Sequence, residues 1–148
     1  MYKHILVATD GTKLSNKAIK TAARLARSLG AKLTGVYVIP GYIPPAYAEA
    51  AIYIPDISPK RYREVSEKEA RKALAVVEIE AQTAVVDCAT LHVTNNQAWN
   101  GILKAARARK CDLIVMASHG RRGLSALVLG SETNKVLTHS RIPVLVCR

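Results

Sequence analysis

The residues from Asp112 to Ser131, DLIVMASHGRRGLSALVLGS, constrain the fold more than any other stretch of the chain. Leu113 to Met116 is an unbroken apolar run, the pattern of a short strand buried on both faces. A glycine-containing loop follows, and Gly130-Ser131 opens the next helix. A loop ending at a helix mouth presents unpaired backbone N–H groups and a partial positive charge, which suits phosphate. A strand covered on both sides and followed by such a loop belongs to a parallel sheet with helices on either face.

The rest of the chain repeats that grammar. Ile5 to Ala8 is a second continuous apolar run, closed by Thr9-Asp10-Gly11. A helix follows from Thr12 or Ser15, with Ala18, Ala22, Leu25, Ala26 and Leu29 on one face and Gly30 as its stop. Lys32 to Ile39 forms the next strand, giving a βαβ unit with a parallel pair. Residues 40 to 59 hold all six prolines but one, together with Tyr42, Tyr47 and Tyr53, and read as a tethered, variable insertion, with a lid or a partner surface as the alternatives. Arg61 to about Thr83 is a long amphipathic helix, with Glu64–Lys68 and Glu67–Arg71 as i,i+4 pairs. Cys88 to Val93 alternates, which predicts an edge strand. A helix to about Arg109 carries Trp99, Ile102, Leu103 and Ala106 on its core face. A helix from Ser131 to Thr138 and a last strand from Pro143 to Cys147 complete the chain. The predicted fold is a single α/β domain over residues 1–148, a Rossmann-like five-stranded parallel sheet with helices on both faces.

Composition narrows the function classes. With 49% apolar residues, 5% aromatic and no Phe, the core is built from Ala, Leu, Val and Ile, not from aromatic layers. The net charge of +11 draws anions. The basic residues are nevertheless dispersed from Lys3 to Arg148, a poor footprint for a nucleic-acid groove. Cys88, Cys111 and Cys147 lack metal or redox spacing, which fits a reducing compartment. The opening residues reach a turn too soon for a signal peptide, and no apolar run approaches a membrane span. The expected location is the cytoplasm.

Open parallel sheets bind ligands beyond the carboxyl ends of their strands, where the strand order reverses. Two ends carry chemistry here: Thr9-Asp10-Gly11-Thr12 and Ala117-Ser118-His119-Gly120. Were these strands neighbours, Asp10 would face the glycine loop, able to bond a ribose hydroxyl or to ligate Mg²⁺, while the loop holds phosphate. Asp10 also suits a plain turn cap into the first helix.

These residues resemble the universal stress protein family. Its pattern is two glycines separated by two residues, then nine residues, then Gly followed by Ser or Thr. Here it reads ASHG (117–120), RRGLSALVL (121–129) and Gly130-Ser131. The opening HILVATDGT and the closing ETNKVLTHSRIPVLVCR also resemble the family. The resemblance implies strand order 3-2-1-4-5 and, in one branch, a bound adenine nucleotide, ATP or AMP, with or without Mg²⁺. By position it places Asp10 at the ribose or a metal, Val38 against adenine, Met116 and Ala117 in the pocket wall, and Gly120, Gly130 and Ser131 at the phosphates. Ala8, Thr9, His119, Arg122 and Glu132 complete the expected nucleotide-binding set. The resemblance further implies a homodimer paired through the last strand, Pro143 to Cys147.

Two departures stand out. Ala117 occupies the place of the first glycine, which matters if that position needs a positive φ. The loop after the third strand offers Asn95-Asn96-Gln97-Ala98 in place of Gly-x-Pro. Glu132 adds negative charge beside the expected phosphates, which Arg121 and Arg122 would offset. The function expected is an adenine-nucleotide-binding regulator of a stress response, a binding module and not an enzyme. A nucleotide-free regulatory dimer with unknown protein partners and a slow Mg²⁺-dependent ATP hydrolase are the alternatives.

Overall fold

The computed structural model describes residues 1–44, 58–121 and 128–148. Strands β1 (His4–Ala8), β2 (Lys32–Ile39), β3 (Cys88–Thr94), β4 (Leu113–Ala117) and β5 (Val144–Cys147) form one sheet in the order β3-β2-β1-β4-β5. All four pairings are parallel. Helices α1 (Lys13–Leu29), α2 (Pro59–Ala84), α3 (Ala98–Ala108) and α4 (Ser131–His139) supply the crossovers. The predicted class and strand order are those observed, with boundaries moved by one or two residues. The alternating β3 lies at an edge, and the two unbroken apolar runs, β1 and β4, lie side by side in the middle.

Side chains alternate across each strand and so divide the core in two. From β1, Ile5 and Val7 join Ala18, Ile19, Ala22, Leu74 and Val77 beneath α1 and α2. Leu6 and Ala8 turn the other way, joining Ile102, Leu103, Met116 and Val136 beneath α3 and α4. Burying each such aliphatic side chain is worth about 1.5–3 kcal/mol. The small residues set the layer spacing. Gly35 on β2 is one of them: a Cβ there would lie 2.9 Å from a methyl of the fully buried Val77.

Helix ends follow their local chemistry. The Thr12 hydroxyl accepts the Ser15 N–H at 3.2 Å and Ser58 accepts the Arg61 N–H at 3.2 Å, capping α1 and α2. Gly30 ends α1 in the left-handed conformation, φ 62°. On α2 the Glu67–Arg71 pair forms at 3.9 Å, whereas Glu64 turns to Arg61 at 3.8 Å instead of Lys68. Residues 45–57 of the proline- and tyrosine-rich stretch, Tyr47 and Tyr53 among them, lie outside the described residues. No helix among the described residues is long and apolar enough to cross a membrane.

Asp112 ties the two central strands together at their entry. Its carboxylate accepts the Lys3 N–H at 2.9 Å and the His4 N–H at 3.0 Å, so it holds β1 at the point where β4 begins. Burial would push this carboxyl up, but the backbone N–H groups of His4 and Lys3 outweigh it and leave the carboxyl below its ordinary range. A depressed folded-state value adds stability that is present above the unfolded value and lost as pH falls through the folded one. Asp112→Asn is therefore expected to be less stable than the natural chain at pH 7. The gap between the two in urea unfolding should close as pH drops below about 4.

Candidate functional site

A cleft of about 430 Å³ opens beyond the carboxyl ends of β1, β2 and β4, at the place where the strand order reverses. That volume suits a small organic ligand. Of the residues expected from the sequence, Ala8, Thr9, Asp10, Val38, Met116, Ala117, His119, Gly120, Gly130, Ser131 and Glu132 all line it. Arg122 lies outside the described residues.

The base of the cleft is set by where β1 stops. Thr9 N–H donates to Val36 O at 3.0 Å, and on the other side of β2 Asn95 N–H donates to Ile39 O at 3.0 Å. Backbone groups alternate sides along a strand, so Val38 N–H and C=O point toward β1's side. Because β1 pairs only as far as Ala8 with Val36, those two groups face the cleft and not another strand. One residue thus offers a donor and an acceptor side by side.

Asp10 stands on the adjoining wall. Its Oδ1 accepts the Thr12 N–H at 3.0 Å and the Thr12 hydroxyl at 2.7 Å, so the expected turn cap is present. Its Oδ2 accepts the Arg121 backbone N–H at 3.1 Å, joining β1 to the glycine loop. The Arg121 side chain reaches back through Nε to Asp10 O at 3.1 Å and through a guanidinium nitrogen to the Tyr37 hydroxyl at 3.3 Å. Burial pushes the Tyr37 hydroxyl up in pKa, and the nearby Arg121 charge opposes that rise. Arg121 had been expected to offset Glu132; it instead ties the loop to β1 and β2. Three of the roughly four acceptor directions on the Asp10 carboxylate are occupied.

Across from Asp10, α4 begins at Gly130 with no side-chain cap. The N–H groups of a helix's first turn have no intrahelical partner, and the first-turn residues Ser131, Glu132 and Thr133 line the cleft. Gly130 itself sits close under the loop, with its N–H donating to Ser118 O at 2.8 Å. The His119 ring approaches the Ser118 hydroxyl at 3.1 Å. Ala117 is the last residue of β4 and does not have a positive φ, so its Cβ adds no backbone strain. Its carbonyl accepts the Thr133 hydroxyl at 3.0 Å, a second tie between β4 and α4.

Glu132 is placed differently from expectation. Its Oε2 accepts the Trp99 backbone N–H at 2.8 Å, and Oε1 lies 3.8 Å from Lys135 Nζ. The carboxylate thus caps α3, whose own N-cap residue Gln97 makes no such bond, and its charge is partly engaged away from the α4 mouth. The half-buried Trp99 ring packs against the α3/α4 core and stacks on His139 at 4.5 Å. Sequence reasoning did not place Ser15 or Thr133 at the cleft, where both contribute to its lining; Asn95 and Asn96, expected to affect one pocket rim, line it as well. The departure from Gly-x-Pro was the one available signal, and it pointed to the two asparagines. No group of three or more His, Cys, Asp or Glu among the described residues could hold a metal.

The universal stress protein family model matches residues 1–148. This chain belongs to the universal stress protein family. It is 31% identical to a universal stress protein of Thermus aquaticus from a QAH/OAS sulfhydrylase 3′ region, with all of both chains covered. Among solved structures of the family it resembles a universal stress protein in complex with cAMP, at TM-score 0.68 and 22% identity, covering 99% of this chain and 97% of that one. It also resembles the universal stress protein from Archaeoglobus fulgidus in complex with dAMP, at TM-score 0.73 and 18% identity, covering 99% and 98%. These likenesses show a shared universal stress protein fold.

Proposed function

We propose that this universal stress protein is a regulatory module that holds an adenine nucleotide, ATP or AMP, at the carboxyl ends of β1 and β4. One observation carries the reading: groups suited to base, ribose and phosphate surround a single cleft. Val38 C=O matches the amino group of adenine and its N–H matches ring nitrogen N1. Asp10 keeps one acceptor direction open, which suits a single ribose hydroxyl. The uncapped mouth of α4, with Gly120 and Gly130 allowing close approach, suits the phosphates. The two family members solved with cAMP and dAMP support the same class of ligand.

The fit is poorer for a protein-held Mg²⁺. Asp10 is largely engaged, and Mg²⁺ prefers several waters and phosphate oxygens beside one or two carboxylates. The reading is therefore a holder of nucleotide and not a hydrolase. The test is to denature purified protein, identify the released nucleotide, and titrate the emptied and refolded chain. Binding of ATP or AMP about a hundredfold tighter than GTP is expected, since guanine puts a donor against Val38 N–H and an acceptor against its C=O. Protein that is empty on purification and takes up neither ATP nor AMP rules the reading out.

Self-association through β5 is part of the same proposal. Ile114 N–H donates to Pro143 O and Ser118 N–H to Cys147 O, so the odd-numbered residues of β5 bond to β4. Val144 and Val146 then turn their backbone groups outward along an open, apolar edge. Pairing of two such edges gives a two-fold dimer. Val146→Pro removes an outward N–H without breaking the ladder to β4. By sedimentation it is expected to be monomeric at concentrations where the natural chain is a dimer. A natural chain that sediments as a monomer throughout the micromolar range contradicts the pairing.

A further inference from the structure

The rim of the cleft beyond β2 is built from the loop that departs from the family pattern. Gly41 N–H donates to Asn96 Oδ1 at 2.9 Å, and Gln97 N–H donates to Asn95 Oδ1 at 2.9 Å. Each backbone N–H demands an oxygen, so these bonds fix which end of each amide is which. Both residues line the cleft, and the Nδ2 groups are left as donors with no hydrogen-bond partner among the described residues. Each side-chain amide therefore keeps its N–H donors unengaged by these bonds.

The direction of β2 says which part of a base meets that rim. Along β2 the Val38 N–H precedes its C=O, so a base paired there runs from N1 to the 6-amino group in the chain direction. The next acceptor around the ring in that direction is N7. The chain also continues that way from Val38 to Pro40 and Gly41, where Asn96 is attached. Asn95 lies nearby against α3: a Cβ at Gly101 would be 3.3 Å from Asn95 Cβ and 2.9 Å from the Val38 methyls.

We infer that the Asn95 and Asn96 side-chain amides form a specificity rim that donates to N7 of a bound purine, adding a Hoogsteen-edge contact to the Val38 pairing. The inference rests on the cleft being a nucleotide site. N7 accepts and never donates, so an amide nitrogen is matched to it, while replacing N7 by C–H leaves that nitrogen facing a carbon.

The experiment compares ATP with 7-deaza-ATP by titration calorimetry on the natural chain and on the Asn95→Asp/Asn96→Asp double variant. Aspartate retains the oxygens that receive the Gly41 and Gln97 N–H groups but removes both donors. The ratio between the two ligands cancels the added charge, because both carry the same phosphates. The natural chain is expected to bind ATP about tenfold tighter than the analogue. The double variant should bind the two equally or prefer the analogue. Two results overturn the inference while leaving the nucleotide reading intact: equal affinities in the natural chain, or a preference for ATP that persists unchanged in the double variant. Failure of the natural chain to bind either ligand overturns the nucleotide reading itself. Because the natural chain alone must discriminate, the test survives a variant that does not fold.

Discussion

Gly120→Ala is expected to lower ATP affinity by about two orders of magnitude while leaving the fold in place. A Cβ at position 120 would lie 2.5 Å from Asp10 Oδ2, a separation that real side chains do not adopt. The oxygen cannot easily give way, since Thr12 and the Arg121 N–H hold the carboxylate from both sides. Either Asp10 swings off its partners or the loop lifts from β1. Both outcomes spoil the cleft between ribose-type and phosphate-type groups, and losing two charge-assisted bonds accounts for the magnitude. Gly120 has no positive φ, so the effect is one of space and not of backbone conformation. Titration calorimetry checks the affinity, and thermal unfolding checks that stability falls by no more than about 1–2 kcal/mol. Undiminished ATP binding by the variant would show that contact between Asp10 and the loop is irrelevant to the ligand.

Gly35→Ala is expected to have the largest effect on stability. The added methyl would meet Val77 at 2.9 to 3.1 Å, and Val77 is fully buried between α2 and the sheet. The contact is with the branched, stiff part of a core side chain, so relief requires α2 to move outward. Overpacking of this kind costs about 1–3 kcal/mol, visible as a lower urea midpoint. Val77→Ala alone also destabilises, through a cavity. Combining the two should cost less than the sum by about 1 kcal/mol or more, because each relieves the other. Strict additivity would show that α2 does not rest on Gly35.

The fold was legible because parallel strands buried on both faces cannot tolerate polar interruption. Leu6, Val7, Ile114 and Val115 are inaccessible to solvent, and their runs stand out from the alternating β3. The end of α2 was less legible: the helix stops at Val85 with φ 56°, a conformation that sequence alone assigns to glycine. The residues around the cleft could be anticipated from the glycine spacing, but not their bonding. Arg121 joins Asp10, and Glu132 caps α3, only because the loop and the two helices meet in space far apart in sequence. The concern over Ala117 disappears for a local reason, since that residue still belongs to β4 and keeps extended geometry. The asparagine pair stands out in the sequence as a departure at the pocket rim; the bond that orients Asn96 depends on Gly41, which only the folded chain brings near.

None of the three cysteines lines the cleft. Burial pushes the Cys88 and Cys111 thiols up to about 11, with Glu78 and Asp87 adding to the first and Asp112 to the second. Thiols so rarely ionised at neutral pH are slow nucleophiles.

The strand order carries a consequence for synthesis. Of the five strands, β1 is made before the others, and it is the middle of the finished sheet. With α1 and β2 it is able to form a βαβ unit as soon as those residues leave the ribosome. Its other edge stays unpaired until Leu113 to Ala117 arrive, after β2, β3 and three helices have been made. While the residues between β1 and β4 are being made, the nascent chain therefore carries an apolar strand edge waiting for β4, the kind of surface that chaperones cover and that aggregation exploits.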